Sequence, residues 1–578
     1  MNNQQLNHFS RSPVNLDISR SVFQRNKRKL TTFQTGQLIP LMVEEVLPGD
    51  SVSMKVNSLV RMATPFHPVM DNAFMDIHAY FVPNRQVWEH WKEFYGENSS
   101  SPWAAPMNYT IPQVTAPSQG GDEVSGSSVT GWAKGTIADY MQLPIKVGNL
   151  SVSMLPFRAY TLIWNNYYRD QNTMSPATVS LTDGTKTGSN QGIMRASGVT
   201  LEQQYDSYIN NGTYVTHAEK GGAPLPVCKL HDYFTSCLPS PQKGAAVLMP
   251  LGMTAPVKNV PFSSVQTSDM INLQYYDNSY STPTKLVRSS LGTDNLGIST
   301  YKADSDMTSN LAAVALYADL SNATAASVNA LRNAFMVQRF YERLARGGSR
   351  YFEVIRSFYG VIVPDLTVQI PEFLGGRRVP INMTQVAQTS ASQSGVTPQG
   401  NLSAYSLTTD TSDELFHKSF TEHGYLIVVG CIRAEHSYSQ GIPRHFSRKT
   451  FTDFYVPTFA NAPEQPVYMK ELFANGIAAN DDAVFGYQEA WAEYRYALSE
   501  ISGEFRPTYA QSLDSYHYGD YYTSQPTLSA GWMREPSSLV SRTLAVTSHH
   551  QWLADFLFDC KWVRPMPAYS VPGLLDHH

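Results

Sequence analysis

Acidic and histidine side chains near residue 75 are the first in this sequence whose types and spacing could support acid–base chemistry. Asp71, Asp76 and His78 lie close together in the chain, and a carboxylate beside an imidazole is a common general acid–base pair. Apolar and polar residues alternate from Phe74 to Val82, which predicts a strand with one buried face. We therefore interpret Asp71 as part of the preceding turn, and we place His78 on the solvent face of the strand or at a subunit interface.

A second group of carboxylates lies in the segment YQEAWAEYRYALSE. Glu489, Glu493 and Glu500 could form a catalytic carboxylate pair, but Arg495 and Arg506 are close in the chain and make ion pairing the preferred interpretation. The sequence also lacks a Walker-type phosphate loop, a G-x-S-x-G elbow, an H-E-x-x-H motif and an EF-hand loop. We therefore predict neither an enzyme nor a bound cofactor.

The histidines and cysteines are not spaced as metal ligands. The pairs His549–His550 and His577–His578 consist of adjacent residues, which point to opposite faces of a strand, so we predict no metal site. The cysteines form no C-x-x-C pair and predict neither a zinc site nor a disulfide framework. We expect free, buried thiols in a reducing cytoplasm at Cys228, Cys237, Cys431 and Cys560.

Basic residues are concentrated at the amino-terminal end of a chain whose net charge is −5. Residues 1–30 contain six lysines and arginines against Asp17, which predicts a basic arm that contacts a polyanion; a solvated tail is the alternative. The segment 443–451, PRHFSRKTF, places basic residues between aromatic rings, and it can bind single-stranded DNA or simply pack in a core or an interface. The predicted DNA-binding residues are Arg20, Arg25, Lys27, Arg28, Lys29, Arg444, Arg448 and Lys449.

Strands are expected at widely separated positions in the chain, with helices and long loops between them. Period-two alternation or a continuous apolar run predicts strands at Leu38–Leu47, Ser51–Met62, Phe74–Val82, Val361–Ile370, Arg377–Met383 and Tyr425–Ala434. Helical spacing of apolar residues predicts helices at Val87–Phe94, Leu155–Tyr168, Ser321–Gly348 and Val467–Asn475. The carboxyl-terminal third, dense in Tyr, Trp and Pro, gives no strand with defined bounds, and 565–578 are expected to form an extended tail.

This order of elements is not the alternating pattern of a doubly wound α/β fold. It predicts a mainly β protein: an eight-stranded antiparallel jelly roll with long loop insertions and several short helices. We expect one such domain over 31–578, following the basic arm, with a large insertion at 250–320. Only 16% of the residues are charged and 12% are aromatic, a composition that suits a protein whose surface is largely covered by other protein.

Five long aromatic-rich motifs carry a resemblance to a known family. They are FHPVMDNAFMDIHAYFVPNRQVWEHW (66–91), LPFRAYTLIWNNYYRDQN (155–172), HDYFTSCLPSPQKG (231–244), RYFEVIRSFYG (350–360) and FGYQEAWAEYRY (485–496). In sequence and in order they resemble the major capsid proteins of the Microviridae, of the gokushovirus type; 250–320 and 385–410 remain unmatched. The resemblance implies the jelly-roll fold and a T=1 icosahedral shell around circular single-stranded DNA, hence a virion protein that is assembled in the host cytoplasm.

The same resemblance implies partners and an attachment site. The implied partners are further copies of this chain, a DNA pilot protein, an internal scaffolding protein and, as a further candidate, a small basic DNA-binding protein. In gokushovirus relatives an insertion at the position of 250–320 forms a protrusion at the three-fold axes. That protrusion is the proposed host-attachment site. We expect 255–312 to bind a host cell-surface receptor, rather than only to brace neighbouring subunits, through Tyr275, Tyr276, Tyr280 and Tyr301.

One alternative function belongs to another class. A secreted β-rich protein that binds carbohydrate or processes glycosides would also be rich in strands and aromatic residues. It would need a signal peptide and a well-placed carboxylate pair, and neither is visible in the sequence. No apolar run is long enough to insert into a membrane.

Overall fold

The computed structural model describes 19–97, 109–118, 120–121, 128–195, 197–245, 328–348, 350–360, 369–389, 400, 402–460 and 462–569, together with short strands at 257–259, 274–275, 284–285 and 316–318. The chain divides into two compact units. The first comprises Met1–Pro241 and Arg350–His578, and the second, Gln242–Ser349, is inserted between these two parts in the sequence. The second unit contains the predicted insertion at 250–320 and extends beyond it.

Ten strands of the described residues form the two large sheets of the first unit, and nine of them are labelled here. In chain order they are β1 (Ser21–Gln24), β2 (Lys27–Phe33), β3 (Gln37–Val46), β4 (Ser51–Met62), β5 (Ala73–Pro83), β6 (Glu372–Pro380), β7 (Thr408–Ser419), β8 (Gly424–Ala434) and β9 (Trp552–Arg564). In the first sheet β9 pairs with β1 and β2 on one side and with β4 on the other, and β4 pairs with β7. In the second sheet the order is β3-β8-β5-β6, and Leu225–Pro226 extends the β3 edge. All of these pairs are antiparallel.

One hydrophobic core contains side chains from both sheets. Each strand turns every second residue to one face, and along β4 and β9 these residues are apolar except Ser58. Phe556 and Phe558 of β9 lie in the same cluster as Met75 of β5 and Val428 of β8. The two sheets therefore share a core that joins the two ends of the chain.

A second core covers the opposite face of the second sheet. Here Tyr80, Ile427 and Val429 lie in one cluster with Tyr160 and Trp164. The last two residues belong to helix α1 (Leu155–Tyr167). Strand β8 is therefore buried on both faces, which explains why its sequence is continuously apolar rather than alternating.

The remaining elements are mostly short. The longer helices after α1 are α2 (Leu201–Asn210), α3 (Val328–Gly347, in the second unit) and α4 (Tyr351–Tyr359). Single helical turns lie at Asn84–Gln86, Trp91–Phe94, Ile137–Tyr140, Tyr214–His217, Ala218–Lys220, Arg444–Ser447, Phe451–Asp453, Pro457–Phe459, Met469–Leu472, Ala478–Asp481, Ala492–Tyr494, Gly503–Phe505, Asp514–Tyr516, Ala530–Met533 and Ser538–Ser541. Short strands lie at Gln113–Thr115, Gly120–Gly121, Ser128–Val129, Ser151–Ser153, Lys186–Thr187, Val257–Asn259, Gln274–Tyr275, Thr284–Lys285, Leu316–Ala318, Met383–Ala387, Leu402–Ser406, Ser437–Tyr438, Gln465–Tyr468, Val484–Gln488 and Ser499–Glu500.

The predicted mainly β class and most predicted elements are confirmed. The structure contains the four strands expected at 38–47, 51–62, 74–82 and 425–434, and it joins the last of these to β3 and β5. The helix expected at 155–168 spans Leu155–Tyr167, whereas the one expected at Ser321–Gly348 is described only from Val328. The strand expected at Arg377–Met383 is β6, which begins earlier, at Glu372.

Several predictions differ from the structure or lie outside it. The helix predicted at Val87–Phe94 is a single turn, Trp91–Phe94, and no strand was predicted where β7 lies. Strand β9 occupies a region for which no strand was predicted. The helix predicted at 467–475 is a single turn, Met469–Leu472, that follows a short strand. Most of the strand predicted at 361–370 lies outside the described residues.

Candidate nucleic-acid interface

The amino-terminal segment is not a free arm from residue 21 onward. Residues 21–24 and 27–33 form β1 and β2, which pair along β9. In β2 the odd-numbered residues face inward and end at the buried Phe33, while Arg28, Leu30 and Thr32 face outward. The predicted arm over 1–30 is therefore wrong for 21–30, because basic residues occupied the strand positions and concealed their alternation; 1–18 lie outside the described residues.

The basic residues at this end contact different partners. Arg25 and Lys27 both donate to Glu44, at 2.7 Å and 3.1 Å, and the Arg25 guanidinium lies over the Trp562 ring. Arg20 donates to Ser51 Oγ at 3.1 Å and to a backbone carbonyl. Two of the predicted DNA-binding cations thus share one carboxylate, which reduces the charge that they present to a polyanion.

Arg28 is the most accessible of the predicted DNA-binding cations on β2. Its side chain is 68% exposed and contacts Asp555 of β9, with Nε 2.9 Å from Oδ1. The hydrogen bond from Arg28 lowers the pKa of Asp555 and raises that of the guanidinium. Because Arg28 is exposed and the Asp555 side chain, 24% exposed, still reaches the surface, this pair can exchange its carboxylate for a phosphate.

Lys29, by contrast, is buried. Its ammonium donates to the carbonyl of Pro40 at 2.8 Å and to that of Tyr140. Burial, with a smaller contribution from the nearby Lys27, lowers its pKa to about 7. An open cleft of about 580 Å³ runs past this lysine between β2, Lys134 and His550. Lys29 therefore supports the fold and presents little charge to the outside.

The second predicted basic cluster, 443–451, is also largely neutralised. Arg444 donates to Glu471 at 3.1 Å and to the Pro466 carbonyl at 3.0 Å. Arg448 donates to Glu493 at 3.2 Å. Lys449 is exposed. The aromatic residues of this segment, rather than its arginines, face solvent.

The first acid–base candidates form a structural ion cluster. Asp76 is buried and accepts hydrogen bonds from Arg378, at 2.7 Å from its Nε, and from Arg433. Although burial alone would raise the pKa of Asp76, these guanidinium groups lower it. His78 lies 2.6 Å from the hydroxyl of Tyr168. Its predicted place on a solvent face is wrong, because α1 and its neighbours cover that face of β5.

The other candidates are also held by local partners. Glu489 pairs with Arg495, as predicted, and Asp71 accepts from the backbone N–H of Tyr518 at 2.7 Å. His550 contacts Thr32. Within the described ranges no group of three or more His, Cys, Asp or Glu residues could hold a metal ion; His577 and His578 lie outside those ranges. The cysteines are free thiols, and Cys237, Cys431 and Cys560 are buried.

One charged cluster gave no sequence signal. His436 is buried with Nδ1 2.6 Å from Asp520 and Nε2 2.9 Å from Glu535. Lys229 donates to Asp520 at 3.1 Å and lies over the Trp532 ring. Burial alone would lower the pKa of His436, but Glu535 and Asp520 raise it to about 10. The members are separated by up to three hundred residues in the chain, so no spacing rule could have found them.

Of the four tyrosines predicted to attach the host, the structure describes only Tyr275. Tyr275 belongs to the strand Gln274–Tyr275, which pairs with Thr284–Lys285. Tyr276, Tyr280 and Tyr301 lie outside the described residues. None of the helices described is both long and apolar enough to cross a membrane.

Comparison with known proteins gives one consistent result. Residues 12–574 match the family model described as "Capsid protein (F protein)". The chain is 36% identical to "Capsid protein VP1" of Bdellovibrio phage phiMH2K, over 98% of this chain and 97% of that protein. It is 36% identical to the proteins of the same name from Spiroplasma virus 4, over 98% and 96%, and from Chlamydia phage 1, over 98% and 98%.

Proposed function

From the membership of this chain in the phage capsid protein (F protein) family, we propose that it forms a T=1 icosahedral shell around a circular single-stranded DNA genome. The chain is a major capsid protein of the gokushovirus type, a structural protein of the virion and not an enzyme. Self-assembly into a capsid follows from that family. The observation that carries the proposal is the match over nearly the whole chain.

The proposed fold of the shell domain is an eight-stranded jelly roll. It is supported by the strand order β2-β9-β4-β7 in one sheet and β3-β8-β5-β6 in the other. Four long antiparallel strands per sheet suit a double-sheet jelly roll. From β2 to β9 successive strands alternate between the sheets, except that β5 and β6 are neighbours in the second sheet. The long connections between β5 and β6 and between β8 and β9 carry the helices and short strands.

We place the genome against the outward face of the first sheet. Arg28 on β2 supports this, since it is exposed and paired only with the half-buried Asp555 carboxylate at the surface. Lys55 and Arg61 of β4 are also exposed, and an excess of accessible cations attracts DNA. A DNA pilot protein, an internal scaffolding protein and a small basic DNA-binding protein are the proposed further partners, and their support is the family resemblance.

We propose that 255–312 project from the shell and attach the virion to a receptor on the host. The support is the position of the insertion between two family motifs and its tyrosines, which give large contact area at small entropic cost. The test replaces Ser263 to Asp306 with a short Gly-Ser bridge. Assembled particles that no longer adsorb are expected, whereas a loss of assembly would favour a bracing role.

The proposed shell has a direct test. The full chain is expressed with the other virion proteins, and the particles are imaged by cryo-electron microscopy. Uniform T=1 shells with internal DNA are expected. Filaments, open sheets or soluble monomers alone would contradict the proposal, because heterologous contacts must close to form a shell.

A further inference from the structure

Exposed aromatic rings cluster in the segment that was first considered for DNA binding. Phe446, Phe451, Phe454, Tyr455 and Tyr494, here called the aromatic patch, are between 46% and 76% exposed. They lie on or beside the helical turns Arg444–Ser447, Phe451–Asp453 and Ala492–Tyr494. Large exposed aromatic groups in one place mark interaction sites.

Charged groups hold Phe454 and Tyr494 of the patch, and the turn between Lys449 and Asp453, in a fixed arrangement. The Arg448 guanidinium lies over the rings of Phe454, at 5.3 Å, and Tyr494, at 4.7 Å, and it pairs with Glu493. Asp453 accepts from the backbone N–H groups of Lys449 and Thr450 at 2.8 Å and 2.7 Å. A surface that is ordered before binding loses little conformational entropy when a partner docks.

A strained backbone at Trp491 also indicates that the aromatic patch is held in place for an interaction. Trp491 has φ 63°, the left-handed region, which is unusual for a bulky side chain. It is buried against Tyr455, with ring centroids 5.7 Å apart, and its Nε1 donates to the Phe459 carbonyl at 2.9 Å. Strained backbone persists where the surrounding contacts fix it and clusters at functional surfaces. Here it begins the turn that carries Tyr494.

The charges favour a protein partner over nucleic acid. Arg444 and Arg448 are neutralised by Glu471 and Glu493, whose side chains are only 3% and 13% exposed. The exposed Lys449 is followed closely by the half-buried Asp453. A polyanion would need an excess of free cations, whereas exposed rings beside a paired arginine are typical of the centres of protein interfaces.

We infer that the aromatic patch is a contact surface between two copies of this chain in the shell. The inference rests on the proposed function, since a self-assembling family supplies a second copy as the occupant. At roughly 200 Å² per aromatic side chain, the exposed parts of the five rings amount to about 600 Å². One partner of a standard interface contributes about 800 Å², so the patch can form most of one contact.

The test removes the two most exposed rings in the full chain. Phe446→Ser with Phe451→Ser is compared with Tyr359→Ser and Tyr569→Ser, two residues that are 78% and 85% exposed elsewhere. All variants are produced with the other virion proteins. We expect at least about tenfold fewer particles for the patch variant, because truncated interface aromatics often weaken binding by that factor. The thermal midpoint of the soluble subunit should not change.

Three other results would contradict the inference. Normal numbers of filled particles would show that the patch is not a contact surface. Normal shells with less DNA would assign the patch to nucleic acid, and normal filled shells with poor adsorption would assign it to the host surface. Absence of shells from the unaltered chain would instead count against the proposed function.

Photo-crosslinking keeps the inference testable if the patch variant folds poorly. A benzoylphenylalanine at position 451 replaces one aromatic ring with another and is irradiated in assembled particles. A crosslinked product of two capsid chains, about twice 64.4 kDa, is expected. A crosslink to DNA, or no crosslink, would overturn the inference.

Discussion

Two ion-paired regions of the first unit differ in burial. His436, Asp520, Glu535 and Lys229, here called the buried quartet, lie almost wholly inside the protein. The pair Arg28–Asp555 lies on the outer face of the first sheet, with an exposed arginine and a half-buried carboxylate. Both regions join segments that are distant in the sequence, yet water reaches only the second.

The difference in burial determines what each region can do. A buried charge that loses its partner keeps the full penalty of leaving water, so the quartet holds the loops around 229, 436, 520 and 535 in one arrangement. An exposed pair gains little from its mutual attraction and loses little when it opens. Arg28 is therefore available to a phosphate, whereas the quartet can only stabilise the fold.

The largest expected effect follows from breaking the buried quartet. His436→Gln leaves the carboxylates of Asp520 and Glu535 with one cation, Lys229. We expect the free energy of unfolding to fall by about 3–5 kcal/mol, measured by chemical denaturation of the soluble subunit. His445→Gln, at an exposed histidine, is the control. A loss below about 1 kcal/mol would mean that the quartet behaves like a surface pair.

The same quartet should give the protein a defined pH dependence. The pKa of His436 is raised to about 10 in the folded state, against about 6.5 when unfolded. Its stabilisation is therefore fully present below pH 6.5 and is lost as the pH rises through 10. The stability difference between the unaltered chain and His436→Gln should shrink across this window. A constant difference would show that the imidazole is neutral in the fold.

The sequence predicts strands whose own residues alternate or form an apolar run. It does not predict which faces are covered, or which side chains are paired, by segments distant in the chain. β4 and β8 could be predicted because their own residues alternate or form an apolar run. His78 was placed on a solvent face because the covering Tyr168 lies ninety residues later. The alternation of β2 was concealed by its two lysines, both of which face inward.

The partners of the charged residues were also not predictable, because they come from distant segments. Basic residues in 443–451 predicted DNA binding, but their carboxylate partners Glu471 and Glu493 come from later segments. The buried quartet has no local signal, since a lone histidine reveals neither its burial nor its partners. The family motifs indicated the capsid function because they record the whole fold, not one local period.

Lys29 is buried like the quartet but lies on β2 beside Arg28, and we expect its replacement to have an intermediate effect on stability. Its pKa is lowered to about 7 by burial, against about 10.4 when unfolded, so the folded state binds fewer protons between these values. Relative to Lys29→Met, the unaltered chain should gain stability as the pH rises above 7, at up to about 1.4 kcal/mol per pH unit. Parallel stability curves for the two proteins would contradict this, and Lys27→Met is the control at a more exposed site.

The smallest effect on stability, and the sharpest test of the comparison, concerns Arg28. The buried Lys29 makes simultaneous replacement of the whole basic segment uninformative, because such a variant would also disturb the fold. Arg28→Gln should leave the thermal midpoint of the subunit unchanged, since its pair with Asp555 is exposed. It should weaken binding of a single-stranded oligonucleotide and reduce the salt slope of log K by about 0.7, the value for one lost phosphate contact. Asp555→Asn should act in the opposite direction, because it releases the guanidinium for phosphate.

Arg25→Gln is the matched control, since Arg25 shares Glu44 with Lys27. If neither Arg28→Gln nor Asp555→Asn changes the salt slope, the outward face of the first sheet does not bind the genome through this pair.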